Sequence, residues 1–208
     1  MNPWHKIIEL EQELDKLRNQ VSELSHDCVS GLLSRATFEE ALEHAFSGNR
    51  RLNQPSGIIM IDIDHFKRVN DEHGHLIGDG VIFSVAQCIK RYCRGTDTVA
   101  RYGGEEFVAI LVNTDIVGLA IQCERLRAAV EMLDIKGNPK VTISLGFALH
   151  SQEDKDGWAV VERADAALMR AKANGRNRVE GAEIGYDEVL LVNEIERVAA
   201  KDSGSESR

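Results

Sequence analysis

The sequence is poor in cysteine and lacks long apolar runs, and each shortage argues against a class of protein. Its 208 residues include four cysteines, which form no CxxC pair and no zinc-like spacing with histidine. This argues against a disulfide framework or a zinc-built fold, and reduced thiols in a cytosol are the simplest expectation. No apolar run approaches the roughly 20 residues that span a bilayer, and the charged N-terminus is unlike a signal peptide. We therefore expect a soluble, cytoplasmic protein with no membrane partner.

Positive charge is also scarce. The chain carries 25 Lys and Arg against 34 Asp and Glu, which gives a formal net charge of −9. Proteins that bind DNA or RNA draw most of their affinity from clustered basic residues, so a nucleic-acid polymer is not an expected partner. Any phosphate ligand must be held by a few local cations. A hydrophobic fraction of 43% is enough for one globular core with modest tails.

The first part of the chain, residues 4–26, has the heptad pattern of a coiled coil. In a parallel dimer, Lys6 would face Glu11 of the other chain and Glu13 would face Arg18, so both pairs are opposite in charge. The pattern predicts a homodimer. Three heptads are marginal alone, so one amphipathic helix packed on its own domain stays an alternative. The seam positions are Ile7, Leu10, Leu14, Leu17, Val21 and Leu24.

The middle of the chain alternates between strand and helix patterns, which predicts an α/β sandwich with helices covering a mostly antiparallel or mixed sheet. The two strands around the Gly103-Gly104 pair read as a hairpin, with glycines able to take the positive φ of a tight turn. The pattern weakens after Val179, where a short helix over 187–200 and a disordered tail over 202–208 are expected. The predicted elements are strand 57–62, helix 79–93, strands 98–102 and 105–112, helix 116–130, strand 141–149 and helix 158–171.

Two pairs of acidic residues are the candidates for a metal-binding and catalytic site. Asp62 and Asp64 lie at the end of the first predicted strand, and Glu105 and Glu106 follow the glycine pair. If the hairpin strand lies beside the first strand, three or four carboxylates converge, and a divalent cation relieves their repulsion most simply. Hard oxygen ligands suit Mg²⁺, especially when it is shared with a nucleotide phosphate. Each acidic pair alone would more often be a solvated turn.

Several short motifs occur together along the chain. They are RYGGEEF at 101–107, DIDHFK at 62–67, ND at 70–71, GH at 74–75, GD at 78–79, AKANGRNRV at 171–179 and a leading segment with Asp27, Gly31, Leu32, Arg35 and Phe38. With these motifs, the last of them in a diverged form, the sequence resembles the GGDEF family of diguanylate cyclases over residues 27–180. The resemblance implies a cyclase domain with a palm-like nucleotidyl-cyclase fold; the coiled-coil dimerisation helix predicted over 1–26 precedes this domain, and an extension over 181–208 follows it.

The resemblance implies roles for the acidic residues. Asp62 and Glu105, with the backbone carbonyl of Ile63, would hold Mg²⁺ (or Mn²⁺) against the triphosphate. Glu106 would be a second metal ligand or would help to deprotonate the attacking 3′-hydroxyl. Neutralising the charge that develops on phosphate is the main catalytic contribution expected from such a metal.

The resemblance also implies nucleotide contacts. A carboxylate accepts from guanine N1 and N2 hydrogens that adenine lacks, which implies GTP as the substrate. For Phe66, packing and a role in the wall of the nucleotide pocket are equally plausible, and the glycine pair alone would read as a simple turn. The implied contacts are Asn70 and Asp79 for guanine, Lys67, Lys172 and Arg176 for phosphates, Gly103 and Gly104 for close backbone approach, and Phe66.

A further motif, Arg94 to Asp97, resembles the RxxD site through which the family's product inhibits the enzyme. Arginine stacks on guanine and forks to phosphate, while aspartate accepts from guanine. Arg125 matches a second product contact. The alternative is a surface pair that arose by chance.

The expected function is therefore a diguanylate cyclase that condenses two GTP into cyclic di-GMP and two pyrophosphates at a two-fold homodimer interface, with product inhibition. One alternative is a catalytically silent domain that binds cyclic di-GMP, but such a domain usually loses a signature acid or glycine. Another is a related purine nucleotide cyclase of mixed or adenine specificity, which would be expected to alter Asp79. The activating signal and the downstream process are not encoded in any recognisable motif.

Overall fold

The computed structural model describes residues 25–52, 55–135 and 139–183, together with the single helical positions Ile7 and Glu13. Apart from these two positions and its last residues, Ser25 and His26, the predicted coiled coil lies outside the described residues. The predicted helix over 187–200 and the tail over 202–208 also lie outside them.

The described chain folds around one five-stranded sheet in the order β2-β3-β1-β4-β5. All neighbouring strands are antiparallel except β4 and β5, which are parallel. The predicted sandwich of helices on a mostly antiparallel sheet is confirmed. The strands are β1 (Ser56–Ile63), β2 (Thr98–Arg101), β3 (Glu106–Val112), β4 (Ile143–Leu149) and β5 (Val179–Gly181), and the helices are α1 (Arg35–Leu52), α2 (Phe66–His73), α3 (His75–Tyr92), α4 (Ile116–Glu131) and α5 (Gly157–Ala173).

The central strand β1 is buried on both faces because helices cover both sides of the sheet. Ile59 and Ile61 point into a core shared with α2, α3 and α4. Ile58 and Met60 point into a second core shared with α1 and α5. A strand covered on both faces needs no polar alternation, which explains the continuous apolar run in its sequence.

Helix α5 lies directly on the sheet at Gly146 of β4. A Cβ at Gly146 would lie 2.1 Å from the backbone nitrogen of Leu168 and 2.2 Å from the carbonyl oxygen of Ala164. Only glycine allows this approach, because backbone atoms cannot move aside as a flexible side chain can. The contact fixes the height of α5 above the sheet and so places its last turn near the end of β1.

Three elements of the fold were not predicted, and one was misplaced. α1, α2 and β5 are absent from the sequence-based prediction, and α3 begins at His75 instead of residue 79. The helix α2 is short and mostly polar, with only Phe66 and Val69 buried. Gly78 and Gly80 obscure the first turns of α3. The strand β5 has three residues and exists through its pairing with β4, so no local pattern identifies it.

No helix in the described part of the chain is both long enough and apolar enough to cross a membrane.

Candidate active site

The acidic residues meet where β1 ends and β3 begins. In the antiparallel register of these strands, Asp62 is paired with Glu106. The amide of Ile63 donates a hydrogen bond to the carbonyl oxygen of Glu105 at 3.2 Å. The structure therefore brings Asp62, Glu105 and Glu106 to one end of the sheet, as expected if the hairpin strand lies beside the first strand.

The glycine turn is shaped by close packing and not by a left-handed backbone. Neither Gly103 nor Gly104 has a positive φ, so the expectation based on turn geometry was wrong. A Cβ on Gly103 would lie 2.5 Å from Oε2 of Glu106, so a side chain there would displace this carboxylate. The amides of Tyr102 and Gly103 both donate to the carbonyl oxygen of Glu106, at 2.8 and 3.2 Å. Gly103 thus gives Glu106 the room that its position requires.

Arg101 ties this turn to the leading segment of the domain. Its Nε and one Nη donate to the carbonyl oxygen of Gly104 at 3.2 and 2.6 Å, and its other Nη donates to Oδ1 of Asp27 at 3.0 Å. Partial burial alone would raise the pKa of Asp27, but the hydrogen bond from Ser30 and the Arg101 guanidinium lower it. Sequence reasoning did not identify this link, although both residues lie in the quoted motifs.

Lys172, in the last turn of α5, reaches the acidic cluster. Its Nζ lies 2.7 Å from Oδ2 of Asp62. Burial raises the pKa of Asp62, and Lys172 offsets only part of that increase. The pKa of Glu105 is also raised, first by burial and then by the charge of Asp62. The cluster therefore carries more negative charge than one lysine neutralises.

This donor set suits a hard divalent cation. Among the residues that the structure describes, no group of three or more His, Cys, Asp or Glu side chains is already arranged to hold a metal. Lys172 instead contacts Asp62 at 2.7 Å. Burial first and neighbouring carboxylates second raise both pKa values, so a cation bound by Asp62 and Glu105 would stabilise their ionised forms. The Ile63 carbonyl is the third hard oxygen that the resemblance implies. The residues fit Mg²⁺ provided that Lys172 moves from Asp62 toward a phosphate.

The predicted guanine contacts lie where α2 meets α3. Oδ1 of Asn70 lies 2.0 Å from the position that a Cβ on Gly78 would occupy, so the glycine admits the asparagine between the helices. Phe66 is 5% exposed and packs at the same crossing, consistent with a mainly structural role. Asp79 follows Gly78 directly and is exposed. The predicted phosphate contacts Lys67 and Arg176 are exposed as well.

Asp64 has a role that the sequence did not reveal. It is 5% exposed and accepts hydrogen bonds from the hydroxyls of Thr142 (2.7 Å) and Ser144 (2.6 Å) and from the amide of Asn177 (3.0 Å). These donors compensate its burial. Asp64 thus anchors the turn after α5 to β1.

The Arg94 to Asp97 motif forms a separate turn between α3 and β2. The Arg94 amide donates to Oδ2 of Asp97 at 2.8 Å, while Oδ1 of Asp97 is buried with no hydrogen-bond partner among the described residues. Both residues line a cavity of about 340 Å³. Gln122, one turn before Arg125, donates to the carbonyl oxygen of Tyr92 at 2.7 Å, which holds α4 against the end of α3. Arg125, three residues further along α4, is exposed.

The sequence matches a family model. The family described as "Diguanylate cyclase, GGDEF domain" matches residues 24–178. Diguanylate cyclase A of Treponema denticola is 43% identical over 147 residues, which are 68% of this chain and 40% of that protein. Diguanylate cyclase DgcP of Pseudomonas aeruginosa is 40% identical over 169 residues, which are 80% of this chain and 25% of that protein. The chain thus spans less than half of the length of these curated relatives.

Solved structures agree with this match. The coiled coil and GGDEF domain of DgcB from Caulobacter crescentus, in complex with c-di-GMP, is 32% identical with a TM-score of 0.80, covering 85% of this chain and 95% of that one. The active GGEEF domain of a diguanylate cyclase from Vibrio cholerae is also 32% identical, with a TM-score of 0.69, covering 73% and 97%. Sequence and fold together establish that the chain belongs to the GGDEF-domain family of diguanylate cyclases.

Proposed function

We propose that this chain condenses two GTP molecules into cyclic di-GMP and two pyrophosphates. Each 3′-hydroxyl attacks the α-phosphorus of the other nucleotide, so that an O3′–P bond forms and the bond from the α-phosphorus to the bridging oxygen breaks at each centre. The hydroxyl protons leave to Glu106 or to solvent, and each pyrophosphate departs with the bridging oxygen.

The proposal rests on the placement of Asp62, Glu105 and Glu106 at one end of the sheet. The Lys172 ammonium lies there too, 2.7 Å from Asp62. The acids would hold Mg²⁺ or Mn²⁺, together with the Ile63 carbonyl, and the cation would neutralise phosphate charge. Lys172 would then exchange its carboxylate partner for a phosphate oxygen, a role that Lys67 and Arg176 share from exposed positions. Three cations on a strongly acidic chain suffice for this because they act locally.

The proposed substrate choice follows from the crossing of α2 and α3. Asn70 is held at a fixed position against Gly78. The adjacent Asp79 carboxylate accepts hydrogen bonds from guanine N1 and N2 hydrogens, which adenine cannot supply. The nucleotide is therefore oriented by its base at one end and by its phosphates at the other, and this orientation removes much of the entropic barrier.

The proposed assembly is a homodimer with one GTP on each subunit. A two-fold interface gives a symmetric product from two identical substrates. The coiled coil predicted over residues 4–26 would hold the two half-sites face to face. The Caulobacter crescentus structure with a similar fold also contains a coiled coil and a GGDEF domain.

The decisive experiment incubates purified protein with Mg²⁺ and either GTP or ATP and separates the products by chromatography. We expect cyclic di-GMP and pyrophosphate from GTP and no cyclic product from ATP. The alternative function, a silent domain that binds cyclic di-GMP, predicts product binding without GTP turnover. Turnover of ATP at a similar rate would contradict the assignment of guanine recognition to Asn70 and Asp79.

We propose in addition that the product inhibits the enzyme at Arg94, Asp97 and Arg125. Arg94 and Asp97 line the same cavity of about 340 Å³, which brings together an arginine that can bind phosphate or stack on guanine and an aspartate that can accept from guanine. Arg94→Ala is expected to leave the initial rate intact and to abolish the flattening of progress curves as product accumulates. Curves that flatten at the same product concentration would rule this site out.

A further inference from the structure

The turn between α5 and β5 has an unusual backbone. Three consecutive residues have positive φ, at +116° for Gly175, +63° for Arg176 and +43° for Asn177. A left-handed backbone is unfavourable for residues that carry a Cβ, so surrounding contacts must hold Arg176 and Asn177 in it. The turn therefore has a specific conformation that its neighbours impose.

Asn177 makes contacts to two other parts of the fold. Its amide donates to Oδ2 of Asp64, next to the end of β1, at 3.0 Å. Its side-chain Oδ1 accepts from Arg127 of α4 at 2.9 Å, and its Nδ2 donates to Glu131 of α4 at 2.7 Å. Backbone and side chain thus fix the turn from two directions.

The anchor on α4 is rigid. Arg127 is 13% exposed and donates to Glu124 at 2.7 Å and to Glu131 at 2.8 Å, in addition to Asn177. The hydrogen bonds from the guanidinium to Glu124 raise the pKa of Arg127, so it stays charged. A planar guanidinium held by two carboxylates has little freedom to move. Asn177 is therefore attached to a preorganised group on a long helix.

We infer that Asn177 is a positioning residue that presents the phosphate-binding cations of the α5 end, Arg176 above all, to the triphosphate. Arg176 precedes Asn177 directly, and its amide donates to the carbonyl oxygen of Ala171 at 3.0 Å, beside Lys172. This inference rests on the proposed function only in that Arg176 contacts phosphate. It predicts that Asn177 controls affinity for the triphosphate and leaves guanine recognition at Asn70 and Asp79 unchanged.

The test separates the side-chain contacts from the tolerance of a left-handed backbone. Asn177→Gly keeps the backbone conformation accessible and removes the bonds to Arg127 and Glu131. We expect GTP to bind about tenfold more weakly in the presence of Mg²⁺, the loss expected when one charge-assisted hydrogen bond to phosphate is weakened. Guanosine, which has no phosphates, should bind within about twofold of the unmodified protein. Calorimetry of the full chain measures GTP binding, and competition measures guanosine binding.

Asn174→Ala is the matched control. Asn174 lies in the same turn but donates to Glu180 at 3.1 Å instead of contacting α4, and its φ of −82° suits alanine. We expect unchanged GTP affinity in this variant. GTP affinity that is equal to the unmodified protein in Asn177→Gly, or an equal loss for GTP and guanosine, would overturn the inference.

Arg176→Ala distinguishes this inference from the proposed function. If Arg176→Ala does not weaken GTP binding, the proposed phosphate contact is wrong. If it weakens GTP binding and Asn177→Gly does not, the proposed function stands and the positioning role is refuted.

A charge rescue keeps the test valid even if Asn177→Gly folds poorly. Asn177→Asp retains an acceptor for Arg127 but places a carboxylate against Glu131, so GTP binding should weaken. Adding Glu131→Gln restores a donor at that position, and the double variant should recover GTP affinity to within about twofold. A double variant that binds no better than Asn177→Asp alone contradicts the proposed contact network.

Discussion

A buried aspartate lies at each end of the sheet, and the pKa values of the two carboxyl groups are shifted in opposite directions. Asp62, at the end of β1, is 6% exposed, and Asp154, in the loop after β4, is 8% exposed. Burial and neighbouring carboxylates raise the pKa of Asp62, and Lys172 offsets only part of this effect. Burial alone would raise the pKa of Asp154, but the Ser151 amide and Arg163 lower it.

The difference lies in the partners and not in the degree of burial. Asp154 accepts hydrogen bonds from the Ser151 amide at 2.8 Å and from Arg163 at 2.7 Å. Asp154 lies near the start of β1, because the amide of the nearby His150 donates to the carbonyl oxygen of Ser56. One end of the sheet is thus a satisfied structural network, and the other keeps negative charge that a cation can neutralise. Carboxylates with raised pKa values cluster at functional sites, so the end with Asp62 is the candidate binding site.

The largest expected effect is at the acidic end. Glu105→Ala should lower kcat/KM for GTP at least ~100-fold, since even groups that only support a metal ligand contribute roughly 10- to 100-fold. The melting temperature should not fall, because the variant removes a carboxylate whose pKa is raised by burial. Steady-state kinetics and thermal unfolding measure the two quantities. Glu153→Ala, which removes an exposed acid at the other end, is the control and should change neither.

The opposite result is expected at the structural end. Asp154→Asn should lower the free energy of unfolding by about 1–3 kcal/mol, because it weakens a charged hydrogen-bond network around Arg163, and kcat should be unchanged. The folded-state pKa of Asp154 lies below its ordinary value of 3.8, so this contribution is present above pH 3.8 and is lost as the pH falls further. Denaturant titrations at pH 7 and pH 3 measure it.

A matched change in the same network gives the control for Asp154. Glu183→Gln removes the more exposed carboxylate that pairs with Arg163. It should cost no more than about 0.5–1 kcal/mol, because solvent screens such pairs. Equal losses for both variants would show that burial of Asp154 is not what makes the network strong.

The guanine contacts give a smaller expected effect at the acidic end. Asp79→Ala should reduce the preference for GTP over ATP roughly tenfold, since it removes one acceptor for guanine hydrogens. The ratio of kcat/KM for the two nucleotides measures this. An unchanged ratio would mean that guanine is read by other groups.

The smallest expected effect concerns charge at the proposed metal site. Glu105→Gln should raise the melting temperature by roughly 1–3 °C at pH 7.5 in the presence of a chelator. The folded-state pKa of Glu105 is raised above 4.5, so the free energy of unfolding begins to fall as the pH rises through 4.5, and the loss is complete once the pH exceeds the folded-state value. The gain in melting temperature should disappear below about pH 4, where the glutamate is protonated and the side chain at this position is neutral in both proteins. Calorimetric scans at the two pH values give the answer.

Local patterns predicted the long elements of the fold and failed for the short ones. The helix α4 and the strand β4 follow clear periodicities, and both are present close to their predicted limits. The helix α2 and the strand β5 have eight and three residues, and tertiary contacts decide their conformation. The convergence of Asp62 with Glu106 was predicted from the assumption that their strands are neighbours, which the β1–β3 register fulfils.

The residues that support the site were harder to predict than the acidic residues themselves. Asp64 stands two positions after Asp62 in one acidic motif, but the structure gives it hydroxyl and amide donors instead of a place in the charged cluster. The pairing of Arg101 with Asp27 joins residues 74 positions apart. Such contacts depend on where distant segments meet, which no local periodicity encodes.

The family, the sandwich of helices on a mostly antiparallel sheet and the acidic residues of the candidate site could all be predicted, because they follow from motifs and from local hydrophobic patterns. The contrast between Asp62 and Asp154, and the contacts of Asn177 with Asp64 and with α4, became apparent in the folded protein alone. A carboxylate acquires its pKa and its role from the donors and charges around it, and the fold brings those from distant parts of the chain.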